Sequence, residues 1–421
     1  MSDSKLPAGW SKKPLGALVS FQKGRKTDTS KNALNGYARY LGASGLSGKD
    51  DGFADMAGAV IAEPSDLLML WDGERSGLVG YMQQGVVAST VSRLTPTDEI
   101  DSAYLYYKLV SLFDWIQARR TGTGVPHVPK DLGKILDIIY PKDKSVQRNI
   151  ATILRTIDNQ IDATQALIDK YTAIKQGMMA DLFSRGIDPE TKALRPTFEE
   201  APELYYKTPL GMLPKGWETK SLDSVVESLV DGPFGSNLKS EHYVDSSPYR
   251  VVRLQNIVEY QYYDENKAFI PAEHFEFLKR NTVFPGDVLI AGLGEERYPV
   301  GRSCCYPADF PPAVNKADCF RARGINGVLE NTYLMLFLNS EVARHQIRRL
   351  EQGVTRPRVN TGNLKKIIVC LPSIEEQNLA TEKYQSIQNV VGGLEAELKK
   401  LTSQKAGLMQ DLLTGKVPVP A

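Results

Sequence analysis

The chain is poor in several features that define common protein classes. Nowhere in its 421 residues is there a run of about 18 apolar residues, and no basic start followed by an apolar stretch opens the sequence, so we expect neither a membrane span nor a secretory signal. The four cysteines form no Cys-x-x-Cys pair and the four histidines show no metal-ligand spacing, so we expect reduced thiols in a cytoplasmic protein, with no metal and no cofactor. The formal net charge is only +1, which argues against a protein that coats nucleic acid through charge alone.

What the sequence does contain is an internal repeat. Leu-Pro-Ala-Gly-Trp at residues 6–10 returns as Leu-Pro-Lys-Gly-Trp at 213–217, an offset of 207. Asp-Leu-Leu-Met-Leu-Trp at 66–71 matches Asp-Val-Leu-Ile-Ala-Gly at 287–292, an offset of 221, and both segments follow a turn signal and continue as β-type runs. The order of features is kept while the offset grows, so we predict two homologous β-rich modules, of which the second is longer.

Each half ends in a heptad pattern, and the two patterns share one register at an offset of 230. One stripe consists of Leu154, Ile157, Ile161, Thr164, Ile168, Tyr171, Lys175, Met178 and Leu182, and the other of Tyr384, Ile387, Val391, Leu394, Leu398, Leu401, Lys405, Leu408 and Leu412. Because neither helix can bury so long a stripe alone, we predict an antiparallel pair within one chain, a rod of roughly 50 Å that exceeds one turn of B-DNA at about 34 Å. A dimerisation coil between two chains is the alternative. Our hypothesis for the two matched lysines is that they fix the register at some cost in stability.

Several separated motifs carry a family resemblance. They are the two Leu-Pro-x-Gly-Trp openings, the exits at 138–141 and 369–372 that lead into 147–151 and 376–380, and the segments 231–239 and 285–290. In these motifs and their order the chain is similar to the specificity subunits of Type I restriction-modification systems. One departure is that the first half has Phe-Gln-Lys-Gly-Arg-Lys at 21–26 where the second half has Asp-Gly-Pro-Phe-Gly at 231–235.

The resemblance implies an α+β fold with two homologous β-rich target recognition domains, separated by two long antiparallel coiled-coil helices. The first domain would span 1–144 and the second 213–372, with helices at 145–186 and 373–421 and a linker at 187–212. It also implies a non-catalytic subunit that binds double-stranded DNA and reads a bipartite, asymmetric target, one domain to each half. Methyltransferase (M) subunits would dock on the two helices, which would set the unread spacer, and restriction/translocase (R) subunits would complete a cytoplasmic complex.

Candidate DNA contacts are polar and basic residues on loops and strand ends, because such side chains can reach base edges and phosphates. In the first module they are Lys23, Arg25, Lys26, Arg119, Arg120, Thr121 and Thr123. In the second module they are Ser236, Asn237, Lys239, Arg253, Gln255, Asn256, Arg297, Arg302, Thr355, Arg356 and Arg358. We expect the Gly-containing basic loops around 119–124 and 352–358, which lie at equivalent positions, to contribute most.

Two other functions are compatible with parts of this pattern. An adenine methyltransferase would need an Asn/Asp-Pro-Pro-Tyr/Phe segment and a Gly-rich cofactor loop, and the nearest approach, Asp-Gly-Pro-Phe at 231–234, reads better as a turn. The sequence has no phosphate-binding loop of the Gly-x-x-x-x-Gly-Lys-Ser/Thr type, which argues against an ATP-driven translocase. A self-standing homodimeric DNA-binding regulator, with the coil joining two chains, is the principal alternative.

Overall fold

The computed structural model describes residues 6–122, 124–294 and 298–420. The chain forms two compact units. Unit 1 comprises Met1–Leu167 together with Leu394–Ala421, and unit 2 comprises Ile168–Gly393. Each unit therefore contains one β-rich module and a portion of each of the two long helices.

Unit 1 is built from short strands and three short helices, followed by the start of a long helix. The strands are β1 (Trp10–Pro14), β2 (Val19–Lys23), β3 (Thr29–Ser30), β4 (Tyr37–Leu41), β5 (Phe53–Asp55), β6 (Ile61–Ala62), β7 (Leu67–Leu70), β8 (Val79–Tyr81), β9 (Gly85–Val87), β10 (Val91–Pro96) and β11 (Asp137–Pro141). The helices are α1 (Ser102–Ser111), α2 (Phe113–Gln117), α3 (Leu132–Ile135) and α4 (Lys144–Leu182). Strands form a four-stranded antiparallel sheet in the order β2-β10-β7-β8, a five-stranded sheet in the order β3-β5-β4-β9-β6, and the pair β1-β11.

Unit 2 repeats this plan with additions. Its strands are β12 (Tyr205–Thr208), β13 (Gly211–Pro214), β14 (Glu218–Ser221), β15 (Val226–Val230), β16 (Arg250–Val252), β17 (Ile257–Val258), β18 (Gln261–Tyr262), β19 (Thr282–Val283), β20 (Val288–Ala291), β21 (Ser303–Cys305), β22 (Ala313–Asn315), β23 (Cys319–Gly324) and β24 (Ile368–Leu371). Its helices are α5 (Leu222–Val225), α6 (Ala272–Phe277), α7 (Asn331–Asn339), α8 (Glu341–Arg348), α9 (Thr361–Leu364) and α10 (Ile374–Leu412). The sheet β15-β23-β20-β21 and the pair β14-β24 have the same topology as β2-β10-β7-β8 and β1-β11, so the predicted homology of the two modules is confirmed.

The inner strands β7 and β20 explain why the repeated apolar run is continuous rather than alternating. Along β7, Leu67 and Met69 belong to one buried cluster while Leu68 and Leu70 belong to another. Successive side chains of a strand point to opposite faces, so a strand covered on both faces must be apolar at every position. The strand β20 is divided between two clusters in the same way.

The two long helices have 39 residues each, and their ends match at the offset of 230 that the sequence predicts. Every predicted stripe position in both helices is buried or half-buried. At about 1.5 Å per residue, each helix is roughly 58 Å long. The stripe is therefore a packed surface along its whole length.

Contacts within each unit show antiparallel pairing inside a single chain. In unit 1, Leu154 near the start of α4 shares a buried cluster with Leu412 at the end of α10, and Lys405 Nζ lies 2.6 Å from Asp158 Oδ1. In unit 2, residues near the end of α4 share a cluster with Ala380 and Tyr384 near the start of α10. The second matched lysine, Lys175, donates to Gln388 Oε1 at 3.1 Å there. The two lysine contacts are related by the repeat, because Asp158 and Gln388 also correspond at the offset of 230.

A buried glutamine in the first turn of each long helix ties the helix to its module. Gln147 donates from Nε2 to the carbonyls of Pro141 at 2.8 Å and Glu99 at 3.1 Å, and its Oε1 accepts from the amide of Asp101 at 2.6 Å. In unit 2 the matching Gln377 makes the same three kinds of bond with Pro372, Val328 and Glu330. A buried amide whose donors and acceptor are all satisfied fixes the direction in which the helix leaves the sheet.

Candidate nucleic-acid interface

In unit 1 the segment after β7 is joined to an exposed hairpin between residues 121 and 127, of which the structure describes 121–122 and 124–127. The hairpin closes through two backbone hydrogen bonds between Thr121 and His127, of 3.0 and 2.8 Å. It is tied to the segment after β7 because Gly73 donates to the carbonyl of Pro126 at 2.8 Å, and Val128 donates to the carbonyl of Trp71 at 2.9 Å. The loop begins with Gly122 at φ +104°, a conformation that favours glycine.

Unit 2 presents the same arrangement at residues 352–358. Gln352 and Arg358 exchange two backbone hydrogen bonds of 2.8 Å. Gly294 donates to the carbonyl of Pro357 at 2.9 Å, and Val359 donates to that of Gly292 at 3.0 Å. Gly353 again adopts a positive φ, +87°. The two hairpins therefore share a backbone frame while their side chains differ, Thr-Gly-Thr-Gly-Val-Pro-His against Gln-Gly-Val-Thr-Arg-Pro-Arg.

A carboxylate orients the last side chain of each hairpin. In unit 1, Asp72 receives His127 Nδ1 at 2.7 Å on one oxygen and Lys23 Nζ at 2.8 Å on the other, which brings the predicted Lys23 to the base of the hairpin. In unit 2, Arg358 Nη2 donates to Asp318 Oδ2 at 2.6 Å. Sequence reasoning missed these carboxylates, because their role depends on strands that meet only in the folded unit.

The Asp-Gly-Pro turn of the second module is bonded to the main chain of Asp318, the residue whose carboxylate holds Arg358. The amides of Gly232 and Asp318 donate to Asp231 Oδ1 at 2.7 and 3.0 Å. Burial raises the pKa of the Asp231 carboxyl to about 6, an effect that these amides oppose. The turn that carries Ser236, Asn237 and Lys239 is thus anchored next to the base of the 352–358 hairpin.

Most of the predicted DNA-contact residues are exposed. The exposed residues are Lys23, Arg25, Lys26, Arg119, Thr121, Ser236, Asn237, Lys239, Gln255, Thr355, Arg356 and Arg358. Arg120 and Arg253 are half-buried, and Arg120 donates to the carbonyl of Glu74 at 2.6 Å. Thr123 and Arg297 lie outside the described residues. The structure brings Lys23, Arg120 and Thr121 together around one hairpin, and Thr355, Arg356 and Arg358 on the other.

Two of the predicted residues lie in the interior. Arg302 is 5% exposed, and its guanidinium donates to main-chain carbonyls, among them those of Ile257 at 2.7 Å and Leu293 at 3.0 Å. Asn256 is 3% exposed, and its Nδ2 donates to the carbonyl of Tyr263 at 2.8 Å. Both side chains hold loops of unit 2 in place, so we do not propose either of them as a DNA contact.

The described residues contain no group of three or more metal-binding side chains, and none of their helices is long and apolar enough to cross a membrane. The cysteines Cys304, Cys319 and Cys370 are fully buried, and burial raises the pKa of each thiol. The described surface instead carries two exposed hairpins, each with a glycine at positive φ and with basic or polar side chains.

Comparison with known proteins places the chain in one family. The family model described as "Type I restriction modification DNA specificity domain" matches residues 7–172 and again 214–401. The chain is 26% identical over 428 residues to the Type I restriction enzyme MjaVIII specificity subunit of Methanocaldococcus jannaschii, covering 100% of this chain and 95% of the relative. It is 20% identical over 356 residues to the Type I restriction enzyme EcoBI specificity subunit of Escherichia coli, covering 83% of this chain and 72% of that protein.

Two solved structures share the fold. The S subunit of a Type-I restriction-modification system from M. genitalium superposes with a TM-score of 0.63 at 17% identity, covering 100% of this chain and 98% of that one. A chain from a study of complex assembly and conformational transition of the type I R-M system gives a TM-score of 0.54 at 16% identity, covering 98% and 100%. The predicted α+β architecture with two repeated modules is confirmed by these likenesses.

Proposed function

We propose, on the premise that this chain belongs to the Type I restriction modification DNA specificity family, that each of its two modules reads one half of a split DNA target. The chain is a DNA specificity subunit of this kind. The observation that carries the finer proposal is the pair of hairpins at 121–127 and 352–358. They have the same backbone frame, the same attachment to the segment after β7 or β20 and different side chains.

The shared frame and the differing side chains support two readers with different sequence preferences. Hydrogen bonds to base edges carry sequence information, and arginine to guanine is the commonest such contact. Arg356 is exposed near the tip of one hairpin, whereas the matching residue of the other is Val125. Two modules that offer different donors in the same geometry are expected to select different bases, which makes the whole target asymmetric.

The division of labour that we propose follows the family. Residues 1–144 and 213–372 are the two target recognition domains. The regions 145–186 and 373–421 contain the two conserved helices, and 187–212 is the linker between the first helix and the second domain. The length of these helices sets the number of unread base pairs between the half-sites. Their 39 residues each and their common stripe support this role.

The proposed partners are double-stranded DNA, methyltransferase subunits that dock on the two long helices, and restriction/translocase subunits in the complete cytoplasmic complex. The chain itself carries out no chemistry in this proposal. Its contribution is to select the site at which the partner subunits act.

Sequencing of methylated sites tests the proposal. The chain is expressed with the methyltransferase subunit of its own system in cells without other DNA methylation, and a matched strain expresses the methyltransferase subunit alone. We expect a single motif with two specified halves and an unspecified spacer, present only in the first strain. A continuous motif, or the same motif in both strains, would contradict the proposal.

A further inference from the structure

Unit 1 has an open cleft of about 850 Å³ at the base of its hairpin. One wall consists of Phe21 from β2 and Trp71 from the segment after β7, whose rings meet edge to face with centroids 6.0 Å apart. Lys23, Lys130 and Lys134 also line it. The cleft therefore combines the exposed ring of Phe21 and the half-buried ring of Trp71 with positive charge.

Unit 2 fills the corresponding place with its own side chain. Gly292 occupies the position of Trp71, because the two residues make the same backbone hydrogen bonds. The amide of Trp71 donates to the carbonyl of Thr90, just before β10, and the amide of Gly292 donates to that of Asp318, just before β23. Their carbonyls accept from the amides of Val128 and Val359, which follow the hairpins.

Ser92 of β10 pairs with Met69, and Phe320 of β23 pairs with Ile290, which matches Met69 at the offset of 221. Ser92 and Phe320 therefore occupy the same position in their sheets. Phe320 is 1% exposed, and a Cβ added at Gly292 would lie 2.3 Å from its ring. Unit 1 therefore has its ring at residue 71 and a small residue at 92, whereas unit 2 has its ring at the position of Ser92 and no room for a side chain at Gly292.

The charge of the cleft favours an anionic occupant. Three lysines line it and Asp131 is the one acidic residue among the described lining residues. Lys23 is paired with Asp72 at 2.8 Å, whereas Lys130 and Lys134 are exposed and form no ion pair with any residue that the structure describes. A recess with aromatic walls and free ammonium groups at its rim suits a planar ring that carries a phosphate.

We propose that this cleft binds one unstacked nucleotide of a DNA strand, with its base against Phe21 and Trp71 and its phosphates at Lys130 and Lys134. The inference rests on the proposed function, since it assumes that DNA lies along the adjacent hairpin. A base that is stacked inside a duplex cannot enter a cleft, so the bound nucleotide must first leave the stack. Only unit 1 would hold such a nucleotide, so the two half-sites would be gripped in different ways.

Binding of short single strands to the full chain tests the inference. The probes are a fluorescein-labelled strand of six thymidylates and a strand of six abasic deoxyribose phosphates, which has the same charge but no bases. Because stacking of a base on an aromatic side chain supplies about a tenfold gain in affinity, we expect the thymidylate strand to bind about ten times more tightly. Fluorescence anisotropy measures both affinities.

Three sets of variants locate the effect. Trp71→Gly combined with Ser92→Phe gives unit 1 the pair of residues that unit 2 has at these two positions. This double variant should lose the preference for the base-containing strand. The double variant Lys130→Ala/Lys134→Ala should lower the affinity for both strands by the same factor. The control Trp115→Ala removes another half-buried tryptophan of unit 1 and should keep the preference.

Equal affinity of the unaltered chain for the two strands would overturn the inference, as would an unchanged preference in the Trp71→Gly/Ser92→Phe variant. If that happens while the two-part methylated motif is still obtained, the cleft assignment fails and the proposed function stands. If the motif is not obtained, the proposed function fails, whatever the strands show.

Discussion

Glu376→Gln is expected to destabilise unit 2 strongly. Glu376 lies in the first turn of α10, and its side chain is 4% exposed. Its carboxylate accepts from Arg195 Nη1 and Nη2 at 2.5 and 2.9 Å, from Trp217 Nε1 at 3.0 Å and from the amide of Ile187 at 2.8 Å. One side chain thus joins the start of α10 to the segment that follows α4 and to the tryptophan of the second Leu-Pro-x-Gly-Trp motif.

The magnitude follows from what the substitution leaves behind. Glutamine keeps the shape and one acceptor oxygen, but its amide group would face hydrogen-bond donors, and Arg195, 15% exposed, would lose its ion-pair partner. Removing one partner of a buried ion pair costs about 3–5 kcal/mol, and because one acceptor survives we expect about 3 kcal/mol. The exposed neighbour Glu375 supplies the control, since Glu375→Gln removes a charge from the same turn and should cost under about 0.5 kcal/mol.

Urea denaturation with hydrogen exchange read on peptides from 183–217 and 374–393 gives the assay. Both regions should exchange faster in Glu376→Gln, because the carboxylate holds them together. A loss of less than about 1 kcal/mol, or an equal loss in Glu375→Gln, would show that the four hydrogen bonds do not anchor the helix and would refute the reasoning.

Other substitutions test single buried charges. Lys405→Met should cost about 1–2 kcal/mol in thermal unfolding, because it leaves the half-buried carboxylate of Asp158 without its cation; an unchanged unfolding temperature would contradict this. Asp231→Asn should remove a pH dependence of stability. Burial raises the pKa of Asp231 to about 6, so between pH about 4 and 6 the folded chain binds more protons than the unfolded chain, and stability should fall as pH rises through that window. Denaturation midpoints at several pH values measure the difference between the two proteins, and identical profiles would argue against a perturbed carboxyl.

The long helices and the central strands could be predicted from the sequence because their patterns are local. A stripe with spacings of three and four residues specifies both the helix and the face that it buries, and every stripe position is indeed buried or half-buried. The run Leu67–Leu70 is apolar at each position for a similarly local reason, since a strand covered on both faces has no polar side.

The exposure of individual polar residues could not be predicted in this way. Arg302 has the charge and strand-end position of a DNA contact, but carbonyl groups from several loops converge on it only in the folded unit. The cleft of unit 1 could not be predicted for the same reason. It depends on an aromatic ring at the position of Trp71 rather than at the position of Ser92, and these two positions meet only in the folded sheet. Local patterns define elements, whereas a site depends on which elements meet.

The most direct test of the two-reader account is to alter one hairpin and sequence the methylated sites. Arg356→Ala changes an exposed side chain of the 352–358 hairpin, and Lys215→Ala removes an exposed charge elsewhere in unit 2 as the control. The account predicts that Arg356→Ala relaxes one half of the motif, while the other half and the spacer length stay the same, and that Lys215→Ala changes nothing. Relaxation of both halves, or a changed spacer, would contradict the claim that each module reads its own half of the target.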